Sequence, residues 1–485
     1  MPDSIKADPP KIVATISNIV LWISLSSSLS IIVFSFYRVV TSFDQQFRPI
    51  YFIFIIVGFV LTALFIICLR LDVNKRINYA LMTVALSFSI LSIEVYFEFF
   101  PPDEKIPNRN QELATELGVP FDSRSKGEVV TELRNSGVKS DLNWFPSALL
   151  TNPKTRDGLD WRGDKIYPLS GLSNITTILN NESGFYPIVM TDQYGFTNSK
   201  AHYGDRIIDV VLVGDSFAEG DGVESDENIS ATLRKHGHNV ISFGKIANGP
   251  LIELATVKEY AEPIKPKIVL WLFYTNDFPE LSKELVSGLL SQYLYDKNYS
   301  QNLISRQDEV DEALFHYFYG KKGVVVAANQ SDLTNPDKVK IAKSLERTGQ
   351  TQLLGRVIKI VKLYNIRTRL NLTRRSIPKL APEFTMILKR ANEMVTSWHG
   401  KLYFVFLPSY THLSPANPYN FRNFVLTTAT KLGIPIIDLH KEIIVPHADP
   451  LSLFPFRSLG HYNKEGYRLV AEAIANRLRE DGLFQ

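Results

Sequence analysis

Cysteine is nearly absent from this 485-residue chain. The one present, Cys68, falls in an apolar run, which excludes a disulfide framework or a thiolate metal site built within one chain. An excess of charge is missing as well. With 53 basic against 50 acidic residues, the formal net charge is +3, and the global electrostatic footprint of a nucleic-acid binder is not there. No repeat of fixed period and no low-complexity tract organises the chain. What remains is a length sufficient for more than one domain, with ample apolar material for a sizeable core.

Charge is missing in one further place. Residues 12–37 and 49–69 carry none, and each meets the roughly 20 residues a helix needs to cross the hydrocarbon core. A third stretch, 77–100, is apolar except for Glu94 and Glu98 at its far end, where interfacial placement of Glu94 is expected over a buried functional carboxylate. The length of the first run and the two that follow argue against a cleaved signal peptide. Residues 1–100 therefore read as a membrane anchor with three transmembrane helices. Lys6 and Lys11 precede the first span, and Arg70, Lys75 and Arg76 separate the second from the third, whereas only Arg38 and Arg48 occupy the other loop. The basic bias places the N-terminus inside and residues from about 101 onward outside, on the periplasmic or extracellular side of an inner or plasma membrane.

Residues 101–205 read as connector and edge elements. From 206 to 485, short β-branched runs alternate with amphipathic stretches, the pattern of a parallel sheet flanked by helices. The runs are 208–213, 239–243, 267–274, 402–407 and 434–438, with helix candidates at 227–236, 250–262, 385–398, 418–432 and 464–480. Continuous apolar strands are what a sheet covered on both faces requires. The spacing breaks between the third and fourth runs, so a helical insertion is expected at about 280–400. Its segment 356–375 interleaves Ile, Val and Leu with Arg and Lys, which suits an anionic membrane surface, an acidic polymer, or a solvated helix packing its apolar face on the domain.

The strongest local signal is RIIDVVLVGDSFAEGDGV, residues 206–223. A buried strand running into Gly214-Asp215-Ser216 sets a serine at the carboxyl end of a parallel strand, just ahead of a helix, where open α/β sheets bind ligands. Gly214 permits a tight turn, and the Ser216 N–H would point toward a reacting oxygen. Taken alone the triplet also fits an ordinary turn. Downstream, LWLFYTNDF ends a strand at Asn276-Asp277, and SLGHYNKEGYRLVAEAIANRL, residues 458–478, sets His461 before an amphipathic helix. An unperturbed imidazole titrates near pH 6.5, so it can take up and return a proton near neutrality.

In this order the blocks resemble the SGNH (GDSL-like) hydrolase superfamily, in a membrane-anchored bacterial-type subgroup. The resemblance covers roughly 165–280 and 400–480. It implies a flavodoxin-like three-layer α/β sandwich with a parallel sheet, here preceded by three transmembrane helices. It further implies Ser216 as nucleophile, His461 as base, and the N–H groups of Ser216 and Ala247 with the Asn276 amide as oxyanion donors. Ala247, in the loop 242–250, stands where the family has a glycine, with Gly244 and Gly249 nearby; a backbone N–H suffices if the alanine's φ/ψ are compatible. Three residues before the histidine, where the family usually carries aspartate, this chain has Ser458. The acid partner is then expected in Asp449, with Asp438 or a backbone carbonyl as alternatives. Residues 184–199 resemble a stretch preceding the nucleophile block in membrane-linked members; Asp192, Tyr194 and Asn198 there suit a site rim or a hairpin on the sheet edge.

The function implied is that of a serine esterase or O-acyltransferase acting on acyl esters of cell-envelope glycan or lipid. Its partners would be the membrane, as an integral protein, and the acylated carbohydrate or lipid, with no nucleic acid, no metal and no organic cofactor. Ala247 and Ser458 keep open a catalytically degenerate glycan-binding module. The three spans could alternatively form a partner-binding or transport element that the outer domain regulates.

Overall fold

The structure is a computed structural model that describes residues 10–41, 48–99, 109–203, 207–319, 356–369, 381–413 and 421–484. The chain divides into two compact units, one of Met1–Glu104 with Leu345–Arg375, the other of Lys105–Ser344 with Ser376–Gln485.

The first unit contains α1 (Lys11–Thr41), α2 (Arg48–Leu69) and α3 (Val73–Phe99), three helices long and apolar enough to cross a membrane. The serines of α1 do not compromise this, because their hydroxyls donate back into the helix, as from Ser24 to Val20 O and from Ser27 to Ile23 O, both at 2.9 Å. Gly58 on α2 sits against α1 so closely that a Cβ there would meet Ile32 Cγ1 at 2.6 Å. Residues 356–369, expected within the insertion of the hydrolase-like domain, group with this unit instead. They are tied to α3 by Glu94, a buried carboxylate that accepts the Asn365 and Ile366 backbone N–H groups at 2.7 and 2.8 Å.

In the second unit the five apolar runs each contain one strand of a parallel sheet: β5 (Val210–Val213), β6 (Val240–Ser242), β7 (Ile268–Phe273), β8 (Lys401–Phe406) and β9 (Ile436–Asp438), preceded by two antiparallel hairpins, β1 (Leu159–Trp161) with β2 (Asp164–Ile166) and β3 (Thr176–Ile178) with β4 (Ile188–Met190). The sheet order is β6-β5-β7-β8-β9, the doubly wound order of flavodoxin-like folds. Residue alternation explains why the strands are apolar except at their ends, where Lys401, Ser242 and Asp438 stand. Val211, Val213, Val269, Trp271, Phe404 and Phe406 enter one core, and Val210, Leu212, Leu270, Leu272, Tyr403 and Val405 enter a second core on the opposite face. Helices cover both, Pro250–Thr256, Ala381–Ser397 and Arg422–Lys431 on the first face and Ile229–Arg234 and Lys464–Glu480 on the second.

Residues 109–203 belong to this sheet-bearing unit and supply more than a connector. Asn198 lies against edge strand β6 and replaces a neighbouring strand there. Its Oδ1 accepts Ser242 N–H and its Nδ2 donates to Ser242 O, each at 2.8 Å, while Asp192 Oδ2 fixes the amide at 2.9 Å. The residues at 192 and 198 thus close the sheet edge. Asn198→Ala strands a buried N–H and a buried carbonyl at once, and should destabilise this unit by roughly 2–4 kcal/mol, read from the denaturation midpoint of the full chain in detergent; a change below 1 kcal/mol would mean that water replaces the clamp.

Candidate active site

Adjacent strands β5 and β7 end at the point where the winding of the sheet reverses, since β6 lies to one side of β5 and all later strands to the other. Gly214-Asp215-Ser216 leaves β5 here. Asp215 caps the short helix Ser216–Glu219 by accepting Phe217 N–H at 3.0 Å, which holds Ser216 in its first position. Burial raises the Asp215 carboxyl to about 6, opposed first by the Phe217 N–H and then by the His461 charge. Asn276 follows β7 and stands ahead of the helix Asp277–Glu284, with its buried Oδ1 unpartnered among the described residues.

His461 reaches the same point from the other end of the chain. It precedes the helix Lys464–Glu480, whose start is set by Asn463 accepting Gly466 N–H at 3.0 Å. Its ring packs beside Phe217, 4.7 Å between centroids, and Nε2 lies 2.6 Å from Ser216 Oγ. On the far side of the ring, Nδ1 is 3.0 Å from Glu182 Oε1, an ion-pair separation without the alignment of a full hydrogen bond. Glu182 Oε2 also accepts the His461 backbone N–H at 2.6 Å. A Cβ at position 460 would stand 2.6 Å from Glu182 Oε2, so a side chain there would have to move this carboxylate.

Among the described residues, the carboxylates within 4 Å of His461 Nδ1 are those of Glu182 and Asp221, and Asp449, expected there, is paired with Arg457 instead. Asp449 is an exposed carboxylate bound to Arg457, with Nη2 to Oδ1 at 2.8 Å, and that guanidinium holds its pKa below the usual carboxylate range. Asp438 is likewise engaged by Arg422, whose Nε donates to it at 3.0 Å. Ser458 is buried and offers no carboxylate. Glu182 comes from the loop between β3 and β4, a region to which the sequence reading assigned no catalytic group. One weak signal was available: Glu182 is the sole acidic residue between Asp164 and Asp192, set in the polar run Asn180-Asn181-Glu182-Ser183.

The loop is held by its own contacts. Asn110 Nδ2 donates to Glu182 O at 2.9 Å, Ser183 Oγ to Gly222 O at 2.9 Å, and Asn180 N–H to Asp221 Oδ1 at 2.8 Å. Asp221 itself stands 3.8 Å from His461 Nδ1. Burial lowers the His461 pKa, but Glu182, Asp221 and Asp215 together outweigh it and raise the imidazole above its ordinary value.

The loop after β6 completes the arrangement. A Cβ on Gly244 would collide with Ala218 Cβ at 2.4 Å, so this glycine lets the loop touch the helix Ser216–Glu219. Lys245 and Glu219, both fully buried, pair at 2.6 Å, and Glu219 Oε2 accepts Ile246 N–H at 2.9 Å. Ala247 follows with φ +57°, the left-handed conformation that glycine adopts without strain. Among the described residues, neither the Ser216 nor the Ala247 N–H has a hydrogen-bond acceptor, and no group of three or more His, Cys, Asp or Glu is arranged to hold a metal ion.

No protein-family model matches the chain, and no curated protein matches it. Among solved structures it is similar to the lipase/acylhydrolase from Enterococcus faecalis, at 14% identity over 56% of this chain and 96% of that one, with a TM-score of 0.30. An acetyl xylan esterase is similar at 13% identity over 56% of this chain and 100% of that one, TM-score 0.30. A member of the lipolytic protein G-D-S-L family from Veillonella parvula DSM 2008 is similar at 10% identity over 55% of this chain and 96% of that one, TM-score 0.27. At that level of similarity, the chemistry has to be argued from the side chains themselves.

Proposed function

We propose that this chain is a membrane-anchored serine hydrolase of the SGNH type, working through an acyl-enzyme on ester substrates. The observation that carries the reading is the 2.6 Å contact between Ser216 Oγ and His461 Nε2, backed by Glu182 at 3.0 Å from Nδ1. In the neutral ring, Nδ1 carries the proton toward Glu182 and the Nε2 lone pair accepts the serine proton. Oγ attacks the ester carbonyl carbon, the proton passes to Nε2, and the N–H groups of Ser216 and Ala247 with the Asn276 amide receive the oxyanion. Collapse expels the alcohol, which takes the proton back from His461. Water or a second alcohol then repeats the sequence on the acyl-serine, giving hydrolysis or transfer.

The placement of Lys and Arg around the spans supports an outward-facing sheet-bearing unit, and hence an acylated glycan or lipid of the cell envelope as substrate. The degenerate-module alternative loses one of its two supports, because Glu182 supplies the carboxylate that Ser458 lacks.

A fluorophosphonate probe should label the wild-type chain and leave Ser216→Ala unlabelled. Labelling that persists in the variant, or is absent from both, would return the unit to a binding role. Because His461 must be neutral to act as base and its pKa is raised, esterase activity should climb with pH above neutrality. Glu182→Gln removes the charge that favours the imidazolium, so it should shift that limb to lower pH and reduce kcat by roughly three to four orders of magnitude. An unshifted limb would exclude Glu182 as the partner. Ala247 in the left-handed region costs roughly 1–2 kcal/mol, so Ala247→Gly should stabilise the unit by about 1 kcal/mol after the entropy of the unfolded glycine is offset, measured by denaturant unfolding.

A further inference from the structure

The segment 356–369 has no part in the proposed chemistry, yet it is the most one-sidedly charged element among the described residues. Arg356, Lys359, Lys362 and Arg367 are exposed, and no Asp or Glu occurs from 356 to 369. Between the cations stand apolar side chains that the described residues leave largely open: Val357, Ile358 and Val361 are 46%, 45% and 71% exposed. The segment also touches α3, partly through two of these same cations. Besides the Glu94 contacts with residues 365 and 366, Asn365 Nδ2 donates to Glu98 Oε2 at 3.0 Å, Lys359 Nζ is 3.8 Å from Glu98 Oε1, and the Arg356 guanidinium lies 5.3 Å from the centre of the Phe99 ring.

These contacts fix the height of the segment relative to a bilayer. A hydrocarbon core takes up roughly 20 residues of helix. Counted from the basic first turn of α3 at Lys75 and Arg76, that length ends near Glu94, so Glu94, Glu98 and Phe99 lie at the far interface. A strip of alternating cations and bare aliphatic side chains, pinned at headgroup depth, matches the chemistry of an interfacial element.

We propose that residues 356–369 dock on anionic phospholipid headgroups of the leaflet where α3 ends, with Val357, Ile358 and Val361 entering the acyl boundary and Arg356, Lys359, Lys362 and Arg367 engaging the phosphates. The surface is independent of the serine chemistry, and its failure would leave that reading untouched.

The test uses the full chain carrying Cys68→Ser and Val361→Cys, labelled at 361 with an environment-sensitive fluorophore and reconstituted in vesicles of phosphatidylcholine alone or mixed with phosphatidylglycerol. The expected result is a blue shift and quenching by a shallow lipid-borne nitroxide, both larger with phosphatidylglycerol. The difference between the lipids should disappear in Arg356→Gln/Lys359→Gln/Lys362→Gln/Arg367→Gln. If that variant does not fold, added salt should shrink the same difference in the labelled parent. Equal signals in both lipids that ignore charge removal and salt would overturn the proposal, as would a water-like signal in both. A signal that appears only when soluble polyglutamate is added to neutral vesicles would also overturn it, and would assign the strip to an acidic polymer.

Discussion

A serine hydroxyl is a weak nucleophile until an imidazole takes its proton, and an imidazole does that well only when a carboxylate stabilises the cation it becomes. In this chain the carboxylate standing beside the His461 ring is that of Glu182, 279 positions away. Much of the region 109–203 follows from that requirement. The β3–β4 hairpin carries the loop, Asn110 and Ser183 tie its backbone, and Asp221 accepts from Asn180. Gly460 contributes by lacking a side chain, since any Cβ would displace the carboxylate oxygen that binds the His461 N–H. An element that looks peripheral in topology is therefore part of the site.

The sheet supplies the other half of the geometry. Because each strand sends alternate side chains into two separate cores, a slip of one residue would exchange both faces, and the register is fixed from two sides. Rigid strand ends follow, and the site is assembled on them at the switch in winding. The β6 loop is held to the helix Ser216–Glu219 by the buried Lys245–Glu219 pair, with Asn143 Oδ1 accepting from Lys245 Nζ at 2.6 Å. Breaking a buried pair typically costs about 3–5 kcal/mol, because one charge is left without a partner. The pair specifies where the loop sits, and through Ile246 it sets the position of the Ala247 N–H.

Legibility in the sequence tracked the range of the interaction. The five strands could be read because burial on both faces writes a continuous apolar run, and each run holds one strand. Ser216 and His461 could be singled out because each is local to a strand end or a helix start, and their side chains meet at 2.6 Å. Glu182 could not, since its contacts with a ring nitrogen and one backbone N–H leave no periodic trace. Asp449 drew attention through proximity in sequence to His461, yet it is engaged by Arg457, eight residues further on. Ala247 was legible as a position, and its backbone conformation was not, because a left-handed alanine has no mark in composition.

The insertion shows the same limit from another direction. Alternating cations and aliphatics on a short helix fit a soluble surface, a polymer site or a membrane equally well, and periodicity alone does not choose. What the structure adds is a pair of carboxylates near the end of α3 that hold the segment there. Glu94 would be costly in hydrocarbon unless its oxygens were satisfied, and three hydrogen bonds from Asn365 and Ile366 satisfy them. The acidic residues that close the third span and the basic segment from between β7 and β8 thus resolve one another's electrostatic problem. That mutual need accounts for residues 356–369, which lie between β7 and β8 in sequence, being folded with the three long apolar helices.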